Sequence, residues 1–310
     1  MRVIISEFMD EAAVAALAAR FDTHYDATLV DRDDDLRGLL ADADALIVRN
    51  RTQVDAALIA FAPALKVVGR LGVGLDNIDV KACAARGVEV IPATGANAQA
   101  VAEYVIATAM VLLRGTYLST QAVAAGAWPR NKLSSGRELA GKTLGIVGFG
   151  GIGRLTARLA RSLGMEVRAF DAQVNADDPA WTAEGVHRST LDALLASADV
   201  VTLHVPLTDA TRRVIDADKL ARMKAGAVLI NTARGGVVDE VALADALAKG
   251  HLAGAALDVF EREPLAAGSP LATAPNLILT PHVAGVTAES NMRVSSLIAD
   301  KVAAALQRHA

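Results

Sequence analysis

Three short segments late in the chain each end an apolar run with a residue able to do chemistry. Ile230-Asn231-Thr232-Ala233-Arg234-Gly235-Gly236 delivers a guanidinium, and Leu279-Thr280-Pro281-His282-Val283-Ala284-Gly285 delivers an imidazole. Between them, Ala256-Leu257-Asp258-Val259-Phe260-Glu261-Arg262-Glu263-Pro264 delivers carboxylates. An arginine fork binds a carboxylate through paired N–H groups and polarises a carbonyl beside it. Imidazole titrates near neutrality, so it can take or give a proton at physiological pH. A carboxylate next to it stabilises the imidazolium. Arg234, Glu263 and His282 fit these three roles. Glu261 is the rival acid, although Glu263, preceding Pro264, is the one restrained in an extended conformation. His204, in Thr202-Leu203-His204-Val205-Pro206, is a weaker acid/base candidate because no acid motif accompanies it.

A second motif indicates what that proton would accompany. Gly148-Phe149-Gly150-Gly151-Ile152-Gly153 follows the apolar run 143–147 and opens the amphipathic stretch 154–160. Strand, glycine turn and helix are the context that a dinucleotide-binding GxGxxG requires. Gly148 permits the turn, Gly150 admits a pyrophosphate to the backbone, and Gly153 lets helix pack on strand. The free N–H groups at the helix start would face the diphosphate. Asp171 ends the next apolar run, 165–170, where a ribose ligand is expected. A carboxylate there repels a 2′-phosphate, so the expected cofactor is NAD rather than NADP. Hydride transfer to nicotinamide sends a proton elsewhere, and the Arg, Glu and His supply its route.

Alternating patterns set out the elements that must position these groups. Strands are expected at 2–6, 45–48, 66–69 and 88–91, with helices at 11–20, 54–60 and 80–85. A long helix is expected from about Ala98 to Leu113, with Asn97 as its N-cap. A turn-rich excursion around Trp128 follows. Further strands are expected at 200–205, 227–232, 254–259 and 277–280, and a last helix at 288–306 returns to the first domain. The reading is α/β with two doubly wound parallel-sheet domains. A substrate-binding domain of residues 1–97 and 286–310 is interrupted by an NAD-binding Rossmann domain of residues 98–285. Ligands in such sheets lie beyond the carboxyl ends of the strands, where Arg234, Glu263 and His282 also fall.

The chain resembles the D-isomer-specific 2-hydroxyacid dehydrogenase family. The run 69–79 is similar to that family's substrate-domain signature, and 231–239, 257–264 and 280–282 resemble its three catalytic-domain motifs. The resemblance implies a flavodoxin-like substrate domain and a homodimer. It makes His282 the acid/base, Glu263 its partner and Arg234 the carboxylate ligand. It gives Asp258 to the nicotinamide carboxamide, and places His204, Val205, Pro206, Thr232, Ala233, Ala284 and Gly285 along the cofactor. Arg49-Asn50-Arg51-Thr52 occupies the place of the phosphoglycerate dehydrogenase branch's Arg-Ser-Arg-Thr. Segments 4–10, 49–52 and 92–97 resemble the sulfolactate-oxidising branch. The implied substrate is a small 2-hydroxy acid with a second, tetrahedral anion. Arg49 and Arg51 are its candidate ligands, with Asn50 and the backbone of Val73 and Gly74. Arg130 and Lys132 are expected to reach in from a partner subunit. The same resemblance covers NAD(H)-sensing corepressors, so a binding role is the alternative, and NADH formation would discriminate the two.

Composition agrees with this picture. The 310 residues are 53% hydrophobic and only 4% aromatic, which suits helices packed on parallel strands. A net charge of −4 favours neither nucleic acid nor a membrane surface. The single cysteine, Cys83, allows no intrachain disulfide and no metal cluster, and is expected to be core packing. No leader pattern precedes the first strand and no apolar run is long enough for a bilayer, so a cytoplasmic protein is expected. The C-terminal regulatory extension of some phosphoglycerate dehydrogenases is not seen after the last helix.

Overall fold

Runs such as Ala45-Leu46-Ile47-Val48 and Val200-Val201-Thr202-Leu203 are fully buried, which suits strands covered on both faces. In the computed structural model, which describes residues 1–309 (Leu118 by its backbone alone), such runs build two parallel sheets. The chain divides into two units, Met1–Asn97 with Val286–Ala310, and Ala98–Gly285.

The first unit holds β1 (Arg2–Ile5), β2 (Asp22–Tyr25), β3 (Ala45–Val48), β4 (Val67–Arg70) and β5 (Glu89–Pro92). Their order, β2-β1-β3-β4-β5, is that of flavodoxin-like sheets. Alternation along each strand sends Ile4, Leu46 and Val68 to one face, where Leu36, Leu40 and Cys83 cover them. Val3, Ile5, Ile47 and Val67 go to the other, under Val294, Ile298 and Val302 of helix Ala288–Arg308. A Cβ at Gly69 would lie 2.8 Å from Val302 Cγ2, so this glycine lets the helix seat on β4. Thr287 and Ser290 close a capping box at the start of that helix.

The second unit holds β6 (Thr143–Val147), β7 (Glu166–Phe170), β8 (His187–Arg188), β9 (Val200–Leu203), β10 (Val228–Asn231), β11 (Gly254–Leu257) and β12 (Leu277–Leu279). The order β12-β11-β10-β9-β6-β7-β8 is the Rossmann order extended by one strand. Helix Ala98–Arg114 covers one face through Val105, Ile106, Ala109 and Leu112. Register sets the site. Phe170, Val147, Leu203, Asn231, Leu257 and Leu279 are successive cross-strand partners in one row. One residue beyond that row stand Asp171, Gly148, His204, Thr232, Asp258 and Thr280.

Several boundaries differ from the sequence reading. The strands of the second unit end at Leu203, Asn231, Leu257 and Leu279, up to two residues early; beyond them His204, Asp258 and Thr280 each give one last amide to the neighbouring strand, at Val147, Asn231 and Leu257, before the chain turns away. Strands β2 and β8 and helix Asp33–Leu40 were not anticipated. The two strands are edges, partly or largely exposed, and carry no apolar run. Asn97 does not cap its helix. It sits in a turn, and its Oδ1, which a cap would aim at a helix amide, is buried without a hydrogen-bond partner. No helix among the described residues is long and apolar enough to cross a membrane.

Candidate active site

At the cofactor end, each glycine of the turn meets a distinct constraint. Gly148 has φ 99°, and a Cβ on it would stand 2.5 Å from the His204 carbonyl oxygen. A Cβ on Gly153 would stand 2.3 Å from the Gly148 carbonyl oxygen. Around Gly150 and Gly151 there is no atom within 4 Å of such a Cβ. Helix Gly151–Ser162 opens there, with Gly150 as N-cap and no side chain capping it. Asp171 accepts the Phe149 amide at 2.6 Å and the Gln173 amide at 2.8 Å, which ties the end of β7 to the glycine turn. Phe149 is fully buried and stacks on Trp181 at 4.5 Å, with Arg154 over its ring. Trp181 gave no signal in the sequence, because the helix that carries it has only four residues.

His204 follows β9, its amide bonded to the Val147 carbonyl at 2.7 Å. Val205 lies against the glycine turn, and Pro206 is exposed beyond it. His204 is partly accessible, and its ring lies beside the Thr202 hydroxyl, Nε2 to Oγ1 at 3.2 Å. Burial pushes its pKa down to about 4, so the ring is neutral at physiological pH.

At the other end, Asn231 shapes the arginine loop. Its Nδ2 donates to the Arg234 carbonyl and its Oδ1 accepts from the Ala233 amide, both at 3.0 Å. Arg234 is half-buried and also donates to the Ala233 carbonyl. A Cβ at Gly235 would fall 1.7 Å from the Phe260 carbonyl oxygen, so only glycine lets the arginine loop touch the acid loop. Within that loop Glu263 Oε1 accepts the Phe260 amide at 3.1 Å, and Oε2 lies 2.8 Å from His282 Nδ1. Glu261 turns elsewhere: its carboxylate lies 3.4 Å from Arg213 and its amide donates to Glu240. The pairing at Nδ1 leaves Nε2 of His282 for proton transfer.

Asp258 is 1% exposed and sits at the centre of the histidine turn. It accepts from Thr280 Oγ1 at 2.6 Å, the Val283 amide at 2.9 Å and the Ala284 amide at 2.8 Å. Its own carbonyl accepts the His282 amide at 2.8 Å. Beside it Thr232 Oγ1 is buried with no hydrogen-bond partner, an orphan suited to a polar ligand group. A glycine cradle open at Gly150 and Gly151, an acid at the ribose position and an orphan hydroxyl at the far end fit a dinucleotide.

Residues 106–284 match the family described as "D-isomer specific 2-hydroxyacid dehydrogenase, NAD binding domain". The chain is 57% identical over 305 residues to an (S)-sulfolactate dehydrogenase of Chromohalobacter salexigens, covering 98% of each. It is 41% identical to a D-3-phosphoglycerate dehydrogenase of Mycobacterium leprae, covering 98% of this chain but 56% of that one. Among solved structures it is similar to an NAD-dependent formate dehydrogenase of Staphylococcus aureus in complex with NAD. That match has TM-score 0.81, 29% identity and coverage of 100% and 95%. The chain belongs to the D-isomer-specific 2-hydroxyacid dehydrogenase family. It is an NAD-dependent oxidoreductase of 2-hydroxy acids, and NAD is its cofactor.

In this 2-hydroxyacid dehydrogenase the first unit builds its cationic loop around Glu7, a residue the sequence reading passed over. Its carboxylate accepts the amides of Arg49, Thr52, Arg51 and Asn50, at 2.8, 3.0, 3.1 and 3.2 Å. Burial favours the neutral acid, but these donors outweigh it and hold the carboxyl below its ordinary value. Asn77 donates to the Thr52 carbonyl at 2.7 Å and closes the loop. Arg49 is half-buried, bonded to Asn291 at 2.8 Å and set over the Phe8 ring. Burial draws its guanidinium below its usual value, against the opposing pull of Glu7. Arg51 is exposed and paired with Asp31. Asn50 is exposed beside them, and Val73 and Gly74 lie in the loop after β4. Arg130 and Lys132 belong to the second unit, exposed on helix Arg130–Leu133 near Trp128, which is 77% exposed.

Proposed function

We propose that this enzyme oxidises (S)-3-sulfolactate to 3-sulfopyruvate, using Arg234, Glu263 and His282 for chemistry. His282 Nε2 takes the C2 hydroxyl proton as general base, while Glu263 at Nδ1 orients the ring and stabilises the imidazolium. Arg234 binds the C1 carboxylate through its fork and polarises C2–O. NAD would supply the acceptor for the C2 hydride. Gly148 to Gly153 would hold its diphosphate and Asp171 its ribose, and Thr232, Asp258, Ala284 and Gly285 would border its nicotinamide. The second anion of the substrate goes to the 49–52 loop, with Arg49 as its principal cation and Arg51 secondary.

The observation that carries the reading is the Glu263–His282 pair at 2.8 Å beside the Arg234 loop. The choice of sulfolactate is supported by the relative at 57% identity and by the cationic 49–52 loop. 3-Phosphoglycerate, which also pairs a 2-hydroxy acid with a tetrahedral anion, is the second reading, favoured by the relative at 41% identity. The deciding experiment follows NADH formation across (S)-sulfolactate, 3-phosphoglycerate and D-lactate. A higher kcat/KM for sulfolactate supports the proposal, and a preference for phosphoglycerate overturns it. Absence of NADH with every 2-hydroxy acid would leave a cofactor-sensing role. Exposed Tyr117, Val123 and Trp128 support a homodimer, for which sedimentation at twice the chain mass is the check.

A further inference from the structure

The backbone of His282 has φ 55°, a left-handed conformation that costs a β-substituted residue energy and must be held from outside. What holds it is Asp258, around which Thr280, Val283 and Ala284 all close. That carboxylate is itself aimed by a neighbour. Thr280 has one hydroxyl proton, and an ionised carboxylate can only accept, so that proton goes to Asp258. Tyr104 Oη lies 2.7 Å from the same Thr280 oxygen. With Thr280's proton already committed, Tyr104 must be the donor. The chain therefore runs in one direction, from Tyr104 to Thr280 to Asp258. Tyr104 stands on helix Ala98–Arg114, which is packed on the sheet through its neighbours Val105 and Ile106.

We propose that Tyr104 is a positioning residue for the reaction, fixing the His282 turn to helix Ala98–Arg114 through Thr280 and Asp258. The proposal rests on His282 being the acid/base. Burial raises the phenol pKa, and the charge of Asp258 adds to this against side-chain hydrogen bonds with Thr280 and Thr108, so Tyr104 remains a donor across the working pH range. Deleting its proton removes a bond that polarises the next one, while the ring goes on filling its place.

The test is Tyr104→Phe, alone and combined with Thr280→Val. In the free protein, amide exchange at Val283 and Ala284 should speed about five-fold, the effect of one neutral hydrogen bond. kcat should fall by a similar factor, about five-fold, with NADH affinity by fluorescence changed less than about two-fold. In the Thr280→Val background Tyr104→Phe should add nothing, and Thr280→Ser, which keeps the hydroxyl, should stay near wild type. Unchanged exchange, or an equal loss in both backgrounds, would overturn the proposal and make Tyr104 a packing residue. Full activity of His282→Ala would instead sink the acid/base assignment on which it depends.

Discussion

Two loops in this molecule are each built round one buried carboxylate, yet they hold their cargo differently. Glu7 accepts four successive backbone amides, so the 49–52 loop is fixed by its main chain and its side chains are free to differ in use. Asp258 accepts two amides and a hydroxyl, and the turn it holds presents a single side chain, His282, to a second carboxylate, Glu263. The first arrangement fixes a surface of positive charge whose members can be exchanged. The second fixes one atom, His282 Nε2. A catalytic proton transfer needs a heavy-atom distance held to within a few tenths of an ångström, whereas attraction between charges falls slowly with distance. The two loops should therefore fail in different ways when altered.

The sharpest break is expected at the single-atom site. His282→Ala should lower kcat about 1,000-fold with NADH affinity nearly unchanged, measured by steady-state kinetics and fluorescence titration. Near-normal turnover would remove the acid/base role. The cationic loop should respond in binding instead. Arg49→Ala is expected to raise KM for a doubly anionic substrate about 100-fold, and Arg51→Ala less than about three-fold, because exposed Arg51 is already paired with Asp31. D-Lactate, which lacks the second anion, should show neither effect, and equal losses for both variants would contradict the separation.

A smaller effect tests the scaffold itself. Glu7→Gln keeps one acceptor oxygen for four amides, so the folded state should lose about 2 kcal/mol in denaturant titration, with substrate KM rising and NADH affinity unaffected. No change in either quantity would mean that the loop holds its shape without the carboxylate. The smallest effect concerns His204. Its folded pKa of about 4 lies below that of the unfolded chain, so the unfolded state binds the extra proton first as pH falls. Stability should therefore decline from pH 6.5 towards 4 and level off below. Partial access of the residue to water limits the loss to about 1 kcal/mol at pH 5. His204→Asn should flatten that part of the pH–stability curve, and an unaltered slope would place the titrating group elsewhere.

Much of the arrangement of the second unit was legible because its candidate groups stand at or just beyond strand ends. The glycine turn, Asp171, Arg234, Glu263 and His282 each follow an apolar run, and parallel sheets present their carboxyl ends on one edge. Glu7 and Tyr104 were not legible. Glu7 reads as an ordinary acid after a strand, and nothing local says that four amides from residues 49–52 converge on it. Tyr104 lies 176 positions from Thr280, inside a helix whose periodicity explains it as packing. Arg49 and Arg51 looked equivalent in the sequence. Asp31 and Asn291, distant in the chain, separate them.

By itself, then, the sequence determined every strand but the edge strands β2 and β8, each end to within two residues, and so which functional groups share an edge. These follow from local hydrophobic pattern and glycine sterics, which need no distant partner. Only the tertiary structure decided which arginine stays unspent on a neighbouring acid and what holds the histidine in its left-handed turn. Those outcomes depend on hydrogen bonds between segments far apart in the chain, whose geometry exists only once the sheet has brought them together.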